Sequence, residues 1–199
     1  MSRKRVAVLI SGSGSNMVAL VRDMQAPSHP AEPVLVLSNN PDATGLEKAA
    51  DLGVPSAVVD HRRFDGDRAG FEAALDSALD AVKPDVICLA GFMRILTAAF
   101  TSRWAGCVLN IHPSILPLFP GLDTHARALA AGMAVHGCTV HEVTPQLDGG
   151  PILGQAVIAV RDDDTPQTLA ARLLPMEHRL YPAVLRRFAA GDRRKVAIT

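Results

Sequence analysis

Apolar positions along the chain fall into two periods. Short continuous apolar stretches at Val6–Ile10, Pro33–Leu37 and Asp85–Leu89 predict strands buried on both faces. Between them run helical patterns at Met17–Gln25, Thr44–Leu52 and Arg68–Val82. The second of these stops at Gly53, a good C-terminal signal. The third places Phe71, Ala74, Leu75, Ala78 and Leu79 on one face. Ser56–Val59 reads as a short strand, Ala98–Trp104 as a helix and Cys107–Ile111 as a strand. Beyond them the pattern predicts a helix over Thr124–Ala131 and strands over Gly137–Val143 and Ile152–Val160. A long helix over Thr165–Ala190 is predicted to be disturbed at Pro175 and Pro182.

Alternation of strand and helix through Ile111 is the mark of an α/β fold: a mostly parallel central sheet with helices on both faces, of Rossmann-like type. The later strands are expected to pair antiparallel at one edge. No internal repeat, low-complexity segment or linker interrupts the chain, so residues 1–199 read as a single domain.

Composition narrows the classes. Hydrophobic residues make up 48% and charged residues 20% of the 199, a soluble globular profile. Twenty Lys plus Arg balance twenty Asp plus Glu, which argues against a broadly basic nucleic-acid binder. The cluster Arg186, Arg187, Arg193, Arg194 and Lys195 reads as a solvated helix end and tail. No apolar run reaches membrane-spanning length or resembles a signal peptide. Cys88, Cys107 and Cys138 are odd in number and lack CxxC spacing, so they read as core residues in a reducing, cytoplasmic compartment.

Ser11-Gly12-Ser13-Gly14-Ser15-Asn16 follows the first strand and opens a helix. Such a turn aims free backbone N–H groups and the positive end of a helix dipole at an anion. The dinucleotide fingerprint needs a third glycine where this chain has Met17, and the P-loop lysine is absent. A terminal phosphate on a smaller substrate therefore fits better than NAD or ATP. A helix cap without a ligand is the bland alternative.

Asn110 and His112 lie two apart at the end of a predicted buried strand, so they point to the same side, where open α/β sheets bind ligands. Asp148 sits beside Gly149 and Gly150, in a turn that lets backbone come close to a ligand. An amide donor, an imidazole and a carboxylate that favours the charged imidazolium suit acyl transfer through an oxyanion. The other histidines read differently. His29 is expected in a surface loop, His61 at a strand end, and His141 as a satisfied strand histidine. His125, at a helix start, is expected neutral. His178 reads as packing, and the spacing of His136 and His141 does not suit a metal site. Ser114 lacks the nucleophile elbow.

Four stretches, Ile10 to Asn16, Gly91-Phe92-Met93-Arg94-Ile95-Leu96, Asn110-Ile111-His112-Pro113-Ser114 with Leu116-Pro117, and Leu147-Asp148-Gly149-Gly150-Pro151, together resemble the folate-dependent phosphoribosylglycinamide formyltransferases. The likeness continues to Glu177-His178 and Tyr181-Pro182. It implies the formyltransferase fold, with a phosphate-binding N-terminal half and a folate-binding, catalytic C-terminal half. It further implies transfer of a formyl group from 10-formyltetrahydrofolate to the amine of glycinamide ribonucleotide in purine biosynthesis, without a metal. By the same resemblance Gly14, Ser15, Asn16 and Glu177 hold the ribonucleotide. Arg68, Met93, Arg94, Ile95, Leu96, Asn110, Val143 and Asp148 meet the folate, and Asn110, His112 and Asp148 are catalytic. Ile95 and Leu96 have a core reading as their alternative, and Glu177 a surface salt bridge. The partners are small molecules, with no nucleic acid or membrane, and the state is a monomer or homodimer. Formyltetrahydrofolate hydrolases and methionyl-tRNA formyltransferases share the core and are expected to carry an additional domain each. The rival outside the enzymes is a phosphate- or nucleotide-binding module, for which Asn110, His112 and Asp148 would be bystanders.

Overall fold

A computed structural model describes residues 2–199. Contacts divide the chain into two compact units, the first ending at Leu109 and the second spanning Asn110–Thr199. The first contains β1 (Lys4–Ile10), α1 (Ser15–Met24), β2 (Ala31–Ser38), α2 (Gly45–Asp51) and β3 (Ser56–Val58). After a 3-10 turn at His61–Phe64 come α3 (Arg68–Val82), β4 (Val86–Leu89), α4 (Ala98–Arg103) and the start of β5 (Val108–His112). The strands run parallel in the order β3-β2-β1-β4, with Val8 opposite both Val36 and Cys88. Val6 to Ile10 have no exposed surface, as expected of a strand covered on both faces.

The second unit holds the rest of β5, α5 (Thr124–Ala130), β6 (Val135–Glu142), β7 (Ile152–Ala159), α6 (Pro166–Ala189) and β8 (Val196–Ile198). β6 and β7 pair antiparallel with Cys138 opposite Ala156, the antiparallel pairing the pattern predicted. The register shifts between Val140 and His141. β8 then adds parallel to β7. Its three residues are too short for a periodic signal, and the tail reading of this stretch misses it.

α6 forms over the predicted stretch as one helix with both Pro175 and Pro182 inside it. Each proline removes a backbone donor, but Leu173, Leu180, Tyr181 and Leu185 are fully buried around them, and that packing outweighs the lost bonds. A capping box starts the helix: Thr168 N–H donates to Thr165 Oγ1 (3.2 Å) and Thr165 N–H to Thr168 Oγ1 (2.8 Å). His29 is another correction. It is 1% exposed, not on the surface, and its Nδ1 accepts from Ala31 N–H (3.0 Å).

The turn after β1 depends on two glycines in contact. Gly14 has φ +66°, and α1 begins directly after it, two residues before the predicted start. Gly45, the first residue of α2, donates its N–H to Gly12 O (3.0 Å). A Cβ on Gly45 would lie 2.5 Å from Ile10 Cδ1, 3.0 Å from Gly12 O and 3.2 Å from Gly14 Cα. Gly45→Ala should therefore cost about 1–3 kcal/mol of stability through overpacking. A urea titration checks this, with a lower midpoint and an unchanged slope as the expected result.

Candidate active site

In the first unit the Ser11–Asn16 turn borders an open cavity of about 250 Å³, closed on its other side by Ala90, Gly91 and Met93. The N-terminus of α1 has no side-chain cap and no acidic residue in its first turn. Its backbone donors are thus available to an anion in that cavity. Lys48, which sequence spacing did not single out, donates to Ser13 O (2.8 Å) and brings a cation to the turn.

The 91–96 segment is irregular, with Met93 66% and Ile95 62% exposed. The core alternative for Ile95 is therefore wrong, while Leu96 is half-buried. Apolar side chains held out on a surface are what a flat ring requires as a wall. Arg94 and Arg68, at the start of α3, are exposed as well.

The second unit brings Asn110, His112 and Asp148 together. β5 supplies the first two, and Asp148 stands at φ +50°, in the left-handed region that Asp tolerates better than most residues. The positive φ falls on Asp148 itself. Gly150 is needed for another reason: a Cβ there would lie 1.8 Å from Glu142 O. The Asp148 side chain is only 7% exposed, with Oδ2 accepting from Gly121 N–H (2.8 Å) and lying 3.5 Å from His112 Nδ1. His112 Nε2 is 3.0 Å from Phe119 O. Each ring nitrogen of His112 thus faces an acceptor oxygen.

Reading His141 as a satisfied strand histidine misses what satisfies it. Its Nδ1–H donates to Glu142 O (2.9 Å), so Nε2 is an acceptor, and the group facing it at 3.2 Å is Asn110 Nδ2. Burial, the largest influence, keeps this imidazole below the ordinary histidine range, in its neutral form. His141 thereby fixes which end of the Asn110 amide is the nitrogen and leaves one N–H of that amide free to donate elsewhere. His141 Nε2 is also 3.7 Å from Asp148 Oδ1. No spacing rule connects residues 110 and 141, so only the pairing of strands could reveal this contact.

Of the remaining candidates, Val143 is half-buried just after β6. Glu177 is half-buried on α6, and its charge adds to burial in pushing the Cys138 thiol up. Ser114 is buried with its hydroxyl donating to Leu118 O (2.7 Å), which leaves it committed to the loop. His125 and His136 stack edge to face with centroids 5.0 Å apart. Burial lowers the pKa of both, that of His136 to about 4, and burial lowers His178 as well. Among the described residues no three His, Cys, Asp or Glu side chains group as metal ligands.

Parallel strands with an antiparallel pair, a glycine-rich turn opening α1 and an Asn110–His112–Asp148 cluster make this an α/β protein of the transferase class that comparison with known proteins identifies. The formyl transferase family profile matches residues 4–185, and the chain belongs to that family. It is 44% identical to the phosphoribosylglycinamide formyltransferase of Escherichia coli K12, over 94% of this chain and 87% of that protein. A solved structure of the Brucella melitensis phosphoribosylglycinamide formyltransferase superposes with a TM-score of 0.90 at 55% identity, over 96% of this chain and 97% of that one. The trifunctional purine biosynthetic protein adenosine-3 of Gallus gallus is 45% identical over 96% of this chain, which spans only 19% of that longer protein.

The buried histidines give stability a pH window. His136 in an unfolded chain takes a proton near pH 6.5, while in the fold it resists until about pH 4. The unfolded state therefore binds more protons between those values, and stability falls as pH drops from 6.5 to about 4. His125, His141 and His178 act in the same direction. Carboxylates such as Asp192, held at about 2 by its bonds to Arg194, withdraw their contribution only below the ordinary 3.8. Urea midpoints measured from pH 7.5 to 4.5 should fall, and His136→Asn should flatten the decline.

Proposed function

We infer that this chain transfers the formyl group of 10-formyltetrahydrofolate to the amine of glycinamide ribonucleotide, a step of purine biosynthesis. Residues 1–199 work as one formyltransferase domain in this reading. Gly14, Ser15 and Asn16 take the ribonucleotide phosphate at the start of α1, and Glu177 meets the ribonucleotide. Arg68, Met93, Arg94, Ile95, Leu96 and Val143 receive the folate, with Asn110 and Asp148 reaching it at the formyl end. The substrates are small molecules. Among the described residues no helix is long and apolar enough to cross a membrane. Cys88, Cys107 and Cys138, none of them in a disulfide among the described residues, suit a reducing cytoplasm.

The observation that carries this reading is the buried Asn110–His112–Asp148 cluster, with His141 setting the amide. The neutral amine of the ribonucleotide attacks the formyl carbon, forming a C–N bond and placing negative charge on the formyl oxygen. The free N–H of Asn110 and the His112 imidazolium donate to that oxygen. His112 has a loose contact for this purpose, the 3.5 Å approach of Nδ1 to Asp148. Asp148 accepts the proton released by the attacking amine, directly or through a water, and passes it to the departing folate nitrogen as the old C–N bond breaks. No covalent enzyme intermediate is needed.

Formyl transfer followed by folate absorbance tests the reading. Wild-type protein should turn over only with both substrates. Asn110→Ala and His112→Ala should each lose about a hundred-fold or more in kcat, as other oxyanion donors do. Full activity in His112→Ala overturns its role. Folate consumption without ribonucleotide indicates hydrolysis instead, and no consumption favours a binding module.

A further inference from the structure

Ser11 connects the two walls of the first unit's cavity. Its N–H donates to Gly91 O (3.1 Å), and its hydroxyl oxygen accepts from Met93 N–H (2.7 Å). The hydroxyl hydrogen has its own target, Asn39 Oδ1 at 2.5 Å. Asn39 closes β2's path past the turn, is 2% exposed and has its Nδ2 3.1 Å from His61 Nδ1. Met93 N–H can only donate, so the Ser11 oxygen accepts from it and the hydroxyl hydrogen goes to Asn39 Oδ1; the polarity runs one way, from Met93 N–H to Ser11 to Asn39. Ser11 therefore cannot rotate its hydrogen toward Met93 without leaving a buried amide oxygen unpaired. No helix or strand holds residues 91–96, so a side-chain bond to Met93 N–H counts for more there than it would inside a regular element.

We propose that Ser11 is a positioning residue shared by both substrates: its backbone belongs to the phosphate turn, and its hydroxyl, oriented by Asn39, sets where the Met93–Leu96 wall stands. This rests on assigning the turn to the ribonucleotide and that wall to the folate. The residue touches neither reacting atom. It acts through the distance between turn and wall, so its loss loosens both walls together.

Steady-state kinetics of four variants test this. Ser11→Ala should raise KM for both substrates by about five- to ten-fold, the equivalent of one hydrogen bond, with a smaller fall in kcat. Ser15→Ala should raise KM for the ribonucleotide alone, and Arg94→Ala KM for the folate alone. Ser11→Thr keeps the hydroxyl and should hold both values near wild type, which a purely structural role of the serine backbone would not explain. If Ser11→Ala fails to fold, Asn39→Ala replaces it, removing the acceptor from the other end with the same expected pair of KM changes. A change in only one KM, or none, while Ser15→Ala and Arg94→Ala behave as stated, overturns the shared role. If those two controls leave their own KM values unmoved, the assignment of turn and wall fails and the proposal falls with it.

Discussion

A carboxylate withdrawn from water must be met by donors, because an unpaired buried charge costs several kcal/mol. Asp148, with 7% of its side chain exposed, imposes that requirement on the second unit. Oδ2 takes the Gly121 N–H and faces His112 Nδ1, while Oδ1 lies 3.7 Å from His141 Nε2, an acceptor that gives it no hydrogen. Meeting these demands fixes the 119–121 loop, whose Phe119 carbonyl takes the remaining nitrogen of His112. It also fixes the left-handed backbone at Asp148 and the glycine at 150, which allows Glu142 to approach. The packing of this cluster thus follows from satisfying one buried carboxyl group.

The first unit meets the opposite requirement, since it offers donors instead of consuming them. The start of α1 is left without a cap, and the turn before it is narrow enough that Gly14 and Gly45 must touch. Lys48 reaches the same turn from α2. Backbone N–H groups that are already aimed need no reorganisation when an anion arrives, which is why such turns bind phosphate with few side chains.

Several features were legible because they are local. Asn110 and His112 sit two apart on a strand, and period-two alternation alone places them on one side. The glycine-rich turn shows in the sequence as the break between strand and helix, and it lies between β1 and α1. Other features were illegible because their partners are distant in sequence. His141 differs from an ordinary strand histidine only in that Asn110, 31 positions earlier in the chain, faces it. His29 sits among prolines, yet it is 1% exposed, with Nδ1 on the Ala31 N–H and Nε2 3.1 Å from Asp23. Pro175 and Pro182 are strong local breakers, and the apolar packing that keeps α6 helical through them is invisible to a local rule.

By itself the sequence determined the element order, the parallel class of the first half, the antiparallel pair after it, and the family through motifs in their proper order. These follow from short-range sterics and from periodicity, which act within a few residues. Tertiary structure alone decided which way the Asn110 amide points, what satisfies Asp148, how Ser11 is held between Met93 and Asn39, and that residues 196–198 form a strand. Each of those depends on a hydrogen bond between groups far apart along the chain. Such bonds carry orientation and polarity, and neither is written in the spacing of residues.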